Sequence, residues 1–452
     1  MERPSIVNPE KVARRSFLGL ASAAGLVACA SPGATPASPT SGPKLAAAAG
    51  TIPDKWTAFR EEFSLSKDKI HMGGLLLASN PRRVKEAIDR HQKALDEDPV
   101  STVEHDLMTG EWTKATIASA ARYFGTAPEN VTLTDSTTSG LAVVYGGMIF
   151  RPNDEIITTK HDHWVTHEGL RLAAERSGAK VRQIPLYTKG SEAKDETMVR
   201  AIESAITPAT RLVAITYVHS STGVKTPVKK IADVIAKANQ GRSGEQRILL
   251  SVDGVHGFGI ENVTMADLGC DFFIAGCHKW MFGPRGTGVV YAKADAYVRL
   301  RPTACPFDFP YVMALIMGKP LPPLNGGSIT PGGFRAFEHR WALREAFELH
   351  LSLGKADVEK RIHELATQTK QGLAKMSHVT LHTPLSAELS SGIVCFEVAN
   401  MKPDDVIKRL MEKKIIATTT PYDPSYARLT PGLTNTPEEV ERTLAAISSL
   451  KS

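Results

Sequence analysis

Lys279 sits where an apolar run ends, a setting in which an amine does chemistry. It follows Phe272-Phe273-Ile274-Ala275 and lies in Gly276-Cys277-His278-Lys279-Trp280. An amine at such a strand end is partly desolvated, which lowers its pKa and frees its lone pair to form an imine. The run Phe282-Gly283-Pro284-Arg285-Gly286-Thr287-Gly288 lets backbone approach closely whatever Lys279 holds. A surface lysine beside a turn is the plainer reading, and the apolar residues before it argue against that.

Three further groups fit around such a lysine. Asp253, in Ser251-Val252-Asp253-Gly254-Val255-His256, ends an apolar run, at the position where parallel sheets bind ligands. A carboxylate there keeps a ring nitrogen protonated, and so keeps the ring an electron sink. His256 is placed to hydrogen-bond an oxygen of the same ring. A capping aspartate is the alternative. The turn Asp135-Ser136-Thr137-Thr138-Ser139-Gly140 offers hydroxyls and free N–H groups at a helix start, a cradle for phosphate. Simple N-capping uses the same residues. The segment Ile156 to Trp164 carries two histidines, and His163 is the best placed to stack on a flat ring. His161, Asp162, His163 and His167 are also a conceivable ligand set, but no metal is predicted.

The elements that must position these groups alternate. Strands are predicted over 131–134, 155–159, 181–186, 211–218, 248–252, 272–275 and 287–291. Helices are predicted over 138–149, 164–176, 198–205 and 228–238. That rhythm gives a mostly parallel sheet covered on both faces. A Pro-rich segment over 302–331 breaks it, and a long helix starts near Arg335. A smaller unit follows: strand 393–398, helix 404–413, strand 415–419 and a last helix over 437–450. Thr436-Pro437-Glu438-Glu439 is a strong helix start.

The chain has 452 residues, 42% hydrophobic and 23% charged, with a formal net charge of +6. That is long enough for two or three domains. The basic residues are scattered, so nucleic acid is not an expected partner. None of the five cysteines forms a Cys-x-x-Cys pair or a zinc-like spacing. Residues 1–50 read as an address and a linker. Ala13-Arg14-Arg15-Ser16-Phe17-Leu18 resembles a twin-arginine export signal, and an apolar run to Ala30 follows. Leu26-Val27-Ala28-Cys29 resembles a lipobox, which would place a lipid anchor at Cys29; cleavage within Ala34 to Ala37 is the competitor. The expected location is therefore periplasmic, free or membrane-anchored. The expected domains are 51–330, large and cofactor-binding, and 331–452, an interdomain helix with a small domain.

In this order the motifs resemble the class V aminotransferase family, the fold-type-I pyridoxal-phosphate enzymes that include cysteine desulfurases and isopenicillin N epimerase. The resemblance runs from about Ile70 to the end. It implies an α/β fold with a mostly parallel, seven-stranded-type sheet and a smaller C-terminal α+β domain. It implies pyridoxal 5'-phosphate, an amino acid or amine substrate, and a homodimer. Lys279 looks like the Schiff-base lysine, Asp253 the partner of the ring nitrogen and His163 the stacking residue. Thr137, Thr138 and His278 take phosphate positions, and His256 stands near the ring's phenolic oxygen. Ser220, in Val218-His219-Ser220-Ser221-Thr222-Gly223, belongs to the active-site loop. Arg428 resembles the arginine that grips a substrate carboxylate. Ser328 or Thr330 would reach the partner's phosphate. The family's phosphate-binding serine is replaced by Gly276. The region Ala417 to Asp423 lacks the cysteine that desulfurases carry, and Cys395 lies in an apolar strand, which disfavours desulfuration. His71-Met72-Gly73-Gly74 and Asn80-Pro81-Arg82-Arg83-Val84 are more like the epimerase branch. The readings are epimerase, transaminase or lyase, with a non-catalytic periplasmic cofactor- or amine-binding protein as the rival.

Overall fold

The computed structural model describes residues 54–450; the twin-arginine motif, Cys29 and the linker lie outside them. A two-residue strand β1 (Ile70–His71) comes first. Seven apolar runs then become β2 (Val131–Thr134), β3 (Glu155–Thr159), β4 (Lys180–Ile184), β5 (Thr210–Thr216), β6 (Leu249–Asp253), β7 (Phe272–Gly276) and β8 (Gly288–Ala292). They form one sheet in the order β2-β8-β7-β6-β5-β3-β4. All neighbours pair in parallel except β8, which runs antiparallel to both β2 and β7.

The runs look continuously apolar because both faces are covered. Successive side chains still alternate between two cores, as the pleat requires. Ile157, Val213, Ile215, Phe273 and Ala275 join Tyr123, Phe124 and Phe347 on one face. Ile156, Leu212, Ala214, Phe272 and Ile274 join Leu141, Val144 and Leu170 on the other. The edge strand β4 is the exception, with Lys180 and Gln183 exposed. Gly140 shows how closely the second face is packed. A Cβ there would come within 2.6 Å of Ile274 Cγ2, so the helix Thr137–Gly147 lies on β7 only because position 140 lacks a side chain.

The strand ends matter for function. Parallel pairing brings the carboxyl ends of β3, β5, β6 and β7 to one edge. The antiparallel β8 leaves β2 running in the same direction as those four, so its following turn lies at that edge too.

The second sheet is antiparallel, in the order β12-β13-β10-β9, from β9 (Val379–Leu381), β10 (Val394–Val398), β12 (Thr418–Thr419) and β13 (Ala427–Leu429). The strand expected over 415–419 divides. Its first part, β11 (Ile415–Ile416), pairs in parallel with β1, and the second, β12, pairs with β13. Ile70 and Met72 therefore pack in the core of the C-terminal unit, with Phe396, Leu410 and Ile447, although they lie far away in sequence. The helix Phe337–Leu353 packs Leu343, Ala346 and Phe347 into the large core. Thr436 caps the last helix, Pro437–Ser448, in a capping box with Glu439, as its sequence signature demands.

Candidate active site

At the shared strand edge lies a cavity of about 140 Å³. Its wall contains Thr137, Thr138, His163, Ser220, Asp253, His256, His278 and Lys279, supplied by the turn after β2 and by the carboxyl ends of β3, β5, β6 and β7 with their following loops. Eight of the predicted residues thus meet in one place.

Lys279 is largely buried. Burial pushes its amine down to about 8, Asp253 opposes that, and the Arg428 charge adds to it. Asp253 is 3% exposed, and its Oδ1 accepts one N–H, from Val255, at 3.2 Å. Burial raises its carboxyl to about 6, with the Lys279 charge pulling the other way. A buried carboxylate this poorly satisfied is costly on its own and suits a cationic ring nitrogen.

His256 has a defined proton. The Trp280 indole, which can only donate, places its Nε1–H on His256 Nδ1 at 3.3 Å. The imidazole is held neutral, chiefly by burial and then by the Lys279 charge, so its proton resides on Nε2. His163 caps the helix Trp164–Ser177, its Nδ1 accepting the Val165 N–H at 3.2 Å. Burial, and then Lys279 and Arg428, push it down to about 4, which leaves a neutral ring. His278 Nδ1 is buried without a partner. Ser136 and Ser139 cap each other at the helix start, which leaves Thr137 and Thr138 on the cavity wall. The Gly276 N–H donates to Thr137 Oγ1 at 2.8 Å, and a Cβ at 276 would lie 2.9 Å from that oxygen. The threonine hydroxyl therefore fills the space of the missing serine side chain. An orphaned imidazole nitrogen, an under-satisfied buried carboxylate, a desolvated lysine and a hydroxyl-rich helix start together fit pyridoxal phosphate.

The neighbours of His163 divide their tasks. Asp162 is buried and accepts from Thr158 Oγ1 and from the Thr159 and Thr216 N–H groups. His161 lines the cavity, stacks on Tyr187 at 3.8 Å and accepts the Leu186 N–H. His167 Nε2 donates to the Thr159 carbonyl. Each has a structural partner in place of a shared ligand position.

Arg428 lies behind the Ser220 loop and is 5% exposed. Its Nη1 donates to the Ser220 carbonyl at 2.8 Å, Nη2 to the Thr419 carbonyl at 3.1 Å and Nε to Thr418 Oγ1 at 3.0 Å. A guanidinium has five N–H groups, so one on each terminal nitrogen remains for a carboxylate. Ser328 and Thr330 are not in this cavity. The Ser328 hydroxyl caps Asn325, and Thr330 Oγ1 donates to the Gly326 carbonyl and accepts the Leu133 N–H.

Sequence reasoning missed Tyr422. It enters the cavity from the small domain and its hydroxyl lies 2.6 Å from Ser220 Oγ. No local signal marks it, because only the packing of the small domain against the 219–223 loop brings it there.

One pH effect follows from Lys279. Below about pH 8 its neutral fraction falls tenfold per pH unit. Uptake of pyridoxal phosphate by cofactor-free protein, followed by borohydride trapping, should therefore quicken from pH 6 to 8 and level off above. A rate that is flat over that range counts against a desolvated amine.

The fold and this cavity define a pyridoxal-phosphate-dependent enzyme of fold type I. The family model for class-V aminotransferases matches residues 78–421, and the chain belongs to that family. A probable cysteine desulfurase of Halalkalibacterium halodurans is 27% identical over 289 residues, 62% of this chain and 64% of that protein. The chain thus spans just under two thirds of that relative's length. Isopenicillin N epimerase of Streptomyces clavuligerus is 26% identical over 342 residues, 74% of this chain and 83% of that enzyme. Among solved structures, a C-DES mutant with glycine covalently linked to its PLP cofactor has a TM-score of 0.78 at 23% identity. It covers 88% of this chain and 100% of its own. At that identity the likeness is one of fold.

Proposed function

We propose that the enzyme breaks and makes bonds at Cα or Cβ of an amino acid whose carboxylate Arg428 receives. One observation carries this: Lys279 and the buried Asp253 share a cavity wall with Ser220, whose carbonyl Arg428 holds. Pyridoxal phosphate, when bound, supplies an electron sink for those bonds. Asp253 would keep the proton on the ring nitrogen. His256 Nε2–H would serve the ring's oxygen, Thr137, Thr138 and His278 would hold the phosphate, and His163 would stack on the ring. Lys279 Nζ, once free, takes the Cα proton and returns it.

Among the described residues no thiol lines the cavity. Cys270, Cys277 and Cys395 are buried, and burial pushes the Cys395 thiol up to about 12. This favours reactions that need no protein thiol: epimerisation, transamination or carbon–sulfur lysis, rather than desulfuration through a protein persulfide. Incubating holoenzyme with a panel of L-amino acids separates them, by D-isomer, 2-keto acid, or sulfide with keto acid. A persulfide found on the chain by mass after cysteine turnover would overturn the thiol-free reading.

Arg428→Lys tests the carboxylate grip. A lysine cannot make the forked contact, so KM should rise about 10–100-fold with a smaller loss in kcat. An unchanged KM excludes Arg428 as the carboxylate ligand.

Two further parts of the reading come from the sequence. We infer a homodimer in which Ser328 or Thr330 approaches the partner's phosphate, to be checked by sedimentation. We also infer export through the Arg14-Arg15 signal, followed by acylation at Cys29 or by cleavage within Ala34 to Ala37. The mass of the mature N-terminus checks both cleavage and lipid.

A further inference from the structure

Tyr422 and Lys279 share the wall of one cavity of about 140 Å³ but come from different domains. Lys279 stands on the turn after β7, Tyr422 on the loop between β12 and β13. Tyr422 lies beside His163, their rings edge to face with centroids 6.1 Å apart and planes at 89°. His163 would cover one face of the cofactor's ring, which leaves the other face to Lys279. A substrate Cα held there would have the amine on one side and the phenol on the other.

The phenol is set to give a proton rather than to take one. Desolvation raises it to about 12, so it stays protonated at neutral pH. The Ser220 hydroxyl, 2.6 Å away, and then the Arg428 charge oppose that rise, and both would steady a phenolate at the moment of transfer. The histidines nearby are weaker acids. Burial pushes His161 and His163 down to about 4, and a neutral imidazole, like the Ser220 alcohol, gives up its proton less readily than a phenol.

We propose that Tyr422 is the proton donor to the face of Cα opposite Lys279, and that the enzyme inverts the configuration of an amino acid. This rests on the Cα chemistry proposed above and selects epimerisation from it. Lys279 Nζ takes the Cα proton from one face. The electron pair of that C–H bond forms the new C–H bond on the other face, as the Tyr422 O–H bond breaks. An ammonium and a phenolate remain. The proton then passes from Lys279, near 8, to Tyr422, near 12, through water that enters as product leaves, and no other acid or base is consumed.

The test follows isotope and configuration together, with holoenzyme in D2O and each common L-amino acid. The unaltered enzyme should yield deuterated D-isomer from its substrate. Tyr422→Phe should still exchange the Cα proton of the L-isomer through Lys279, within about tenfold of the unaltered rate, while D-isomer forms about 10²-fold more slowly. It should also bind the α-methyl form of that amino acid, which has no Cα proton, with unchanged affinity by absorbance titration. Inversion retained in Tyr422→Phe overturns the assignment. So do exchange without inversion in the unaltered enzyme, and equal loss of exchange and inversion or weakened analogue binding in the variant. No exchange from any L-amino acid in the unaltered enzyme overturns the Cα chemistry itself, and the assignment with it. Should Tyr422→Phe not fold, Ser220→Ala keeps the phenol and removes the hydroxyl against it, and should slow inversion about tenfold more than exchange. Equal slowing of the two overturns the assignment.

Discussion

Lys279→Ala should leave no cofactor mass on the chain after borohydride, and turnover should fall by about 10³-fold or more. The size follows from the two tasks that one nitrogen performs. It is the only lysine in the cavity wall, among the described residues, and so the only amine there that can hold the cofactor as an imine. On the proposed reading it is also the base for the Cα proton, with burial holding it near 8, where proton transfer in both directions is efficient at neutral pH. Asp253 and His163 would not substitute: one would be committed to the ring nitrogen, and the other has its Nδ1 on the Val165 N–H. Mass mapping of the reduced protein checks the first half. Retained cofactor mass at another lysine would move the anchor elsewhere. Added methylamine restoring part of the turnover would separate loss of the base from loss of the fold.

Asp253→Asn should act in two opposite directions. Turnover should fall by about 10²-fold or more, because a neutral amide does not keep the ring nitrogen protonated. The cofactor-free protein should become more stable at neutral pH. The folded carboxyl titrates near 6, above its ordinary 3.8, so the folded state binds more protons than the unfolded one between those values. Stability therefore falls as pH rises through that window, and the cost is complete above about pH 6. Removing the charge should recover on the order of 2–3 kcal/mol at pH 8 and almost nothing at pH 3. Thermal melts of both cofactor-free proteins at the two pH values decide it. An identical pH dependence would show that Asp253 is not an uncompensated buried charge. A variant that gains stability while losing turnover is what a binding-site carboxylate predicts, and a structural one does not.

How much of this was legible follows from the range of the interactions involved. Lys279, Asp253 and the Ser136–Thr138 turn announce themselves because each sits at the end of an apolar run, and a strand end in a parallel sheet is already a site. The alternation of strands and helices also gives the order of motifs along one sheet edge. The caps at Ser136 and Thr436 are local and were readable for the same reason. Strand limits were displaced by a residue or two, since pairing, not propensity, ends a strand.

Other features depend on distant partners. The split of 415–419 into β11 and β12 needs β1, more than 340 residues earlier by position, to claim the first half. The proton on His256 Nε2 is decided by the Trp280 indole, and the vacancy at Gly276 is filled by Thr137 from across the sheet. Tyr422 and Arg428 gain their places only when the small domain closes on the Ser220 loop. Sequence alone determined the fold class and set Lys279, Asp253 and the Ser136–Thr138 turn at the ends of apolar runs, because these rest on residue type and on periodicity. Tertiary structure decided the tautomers, the pKa shifts and the small-domain wall of the cavity, because burial and contact across long separations set each of them.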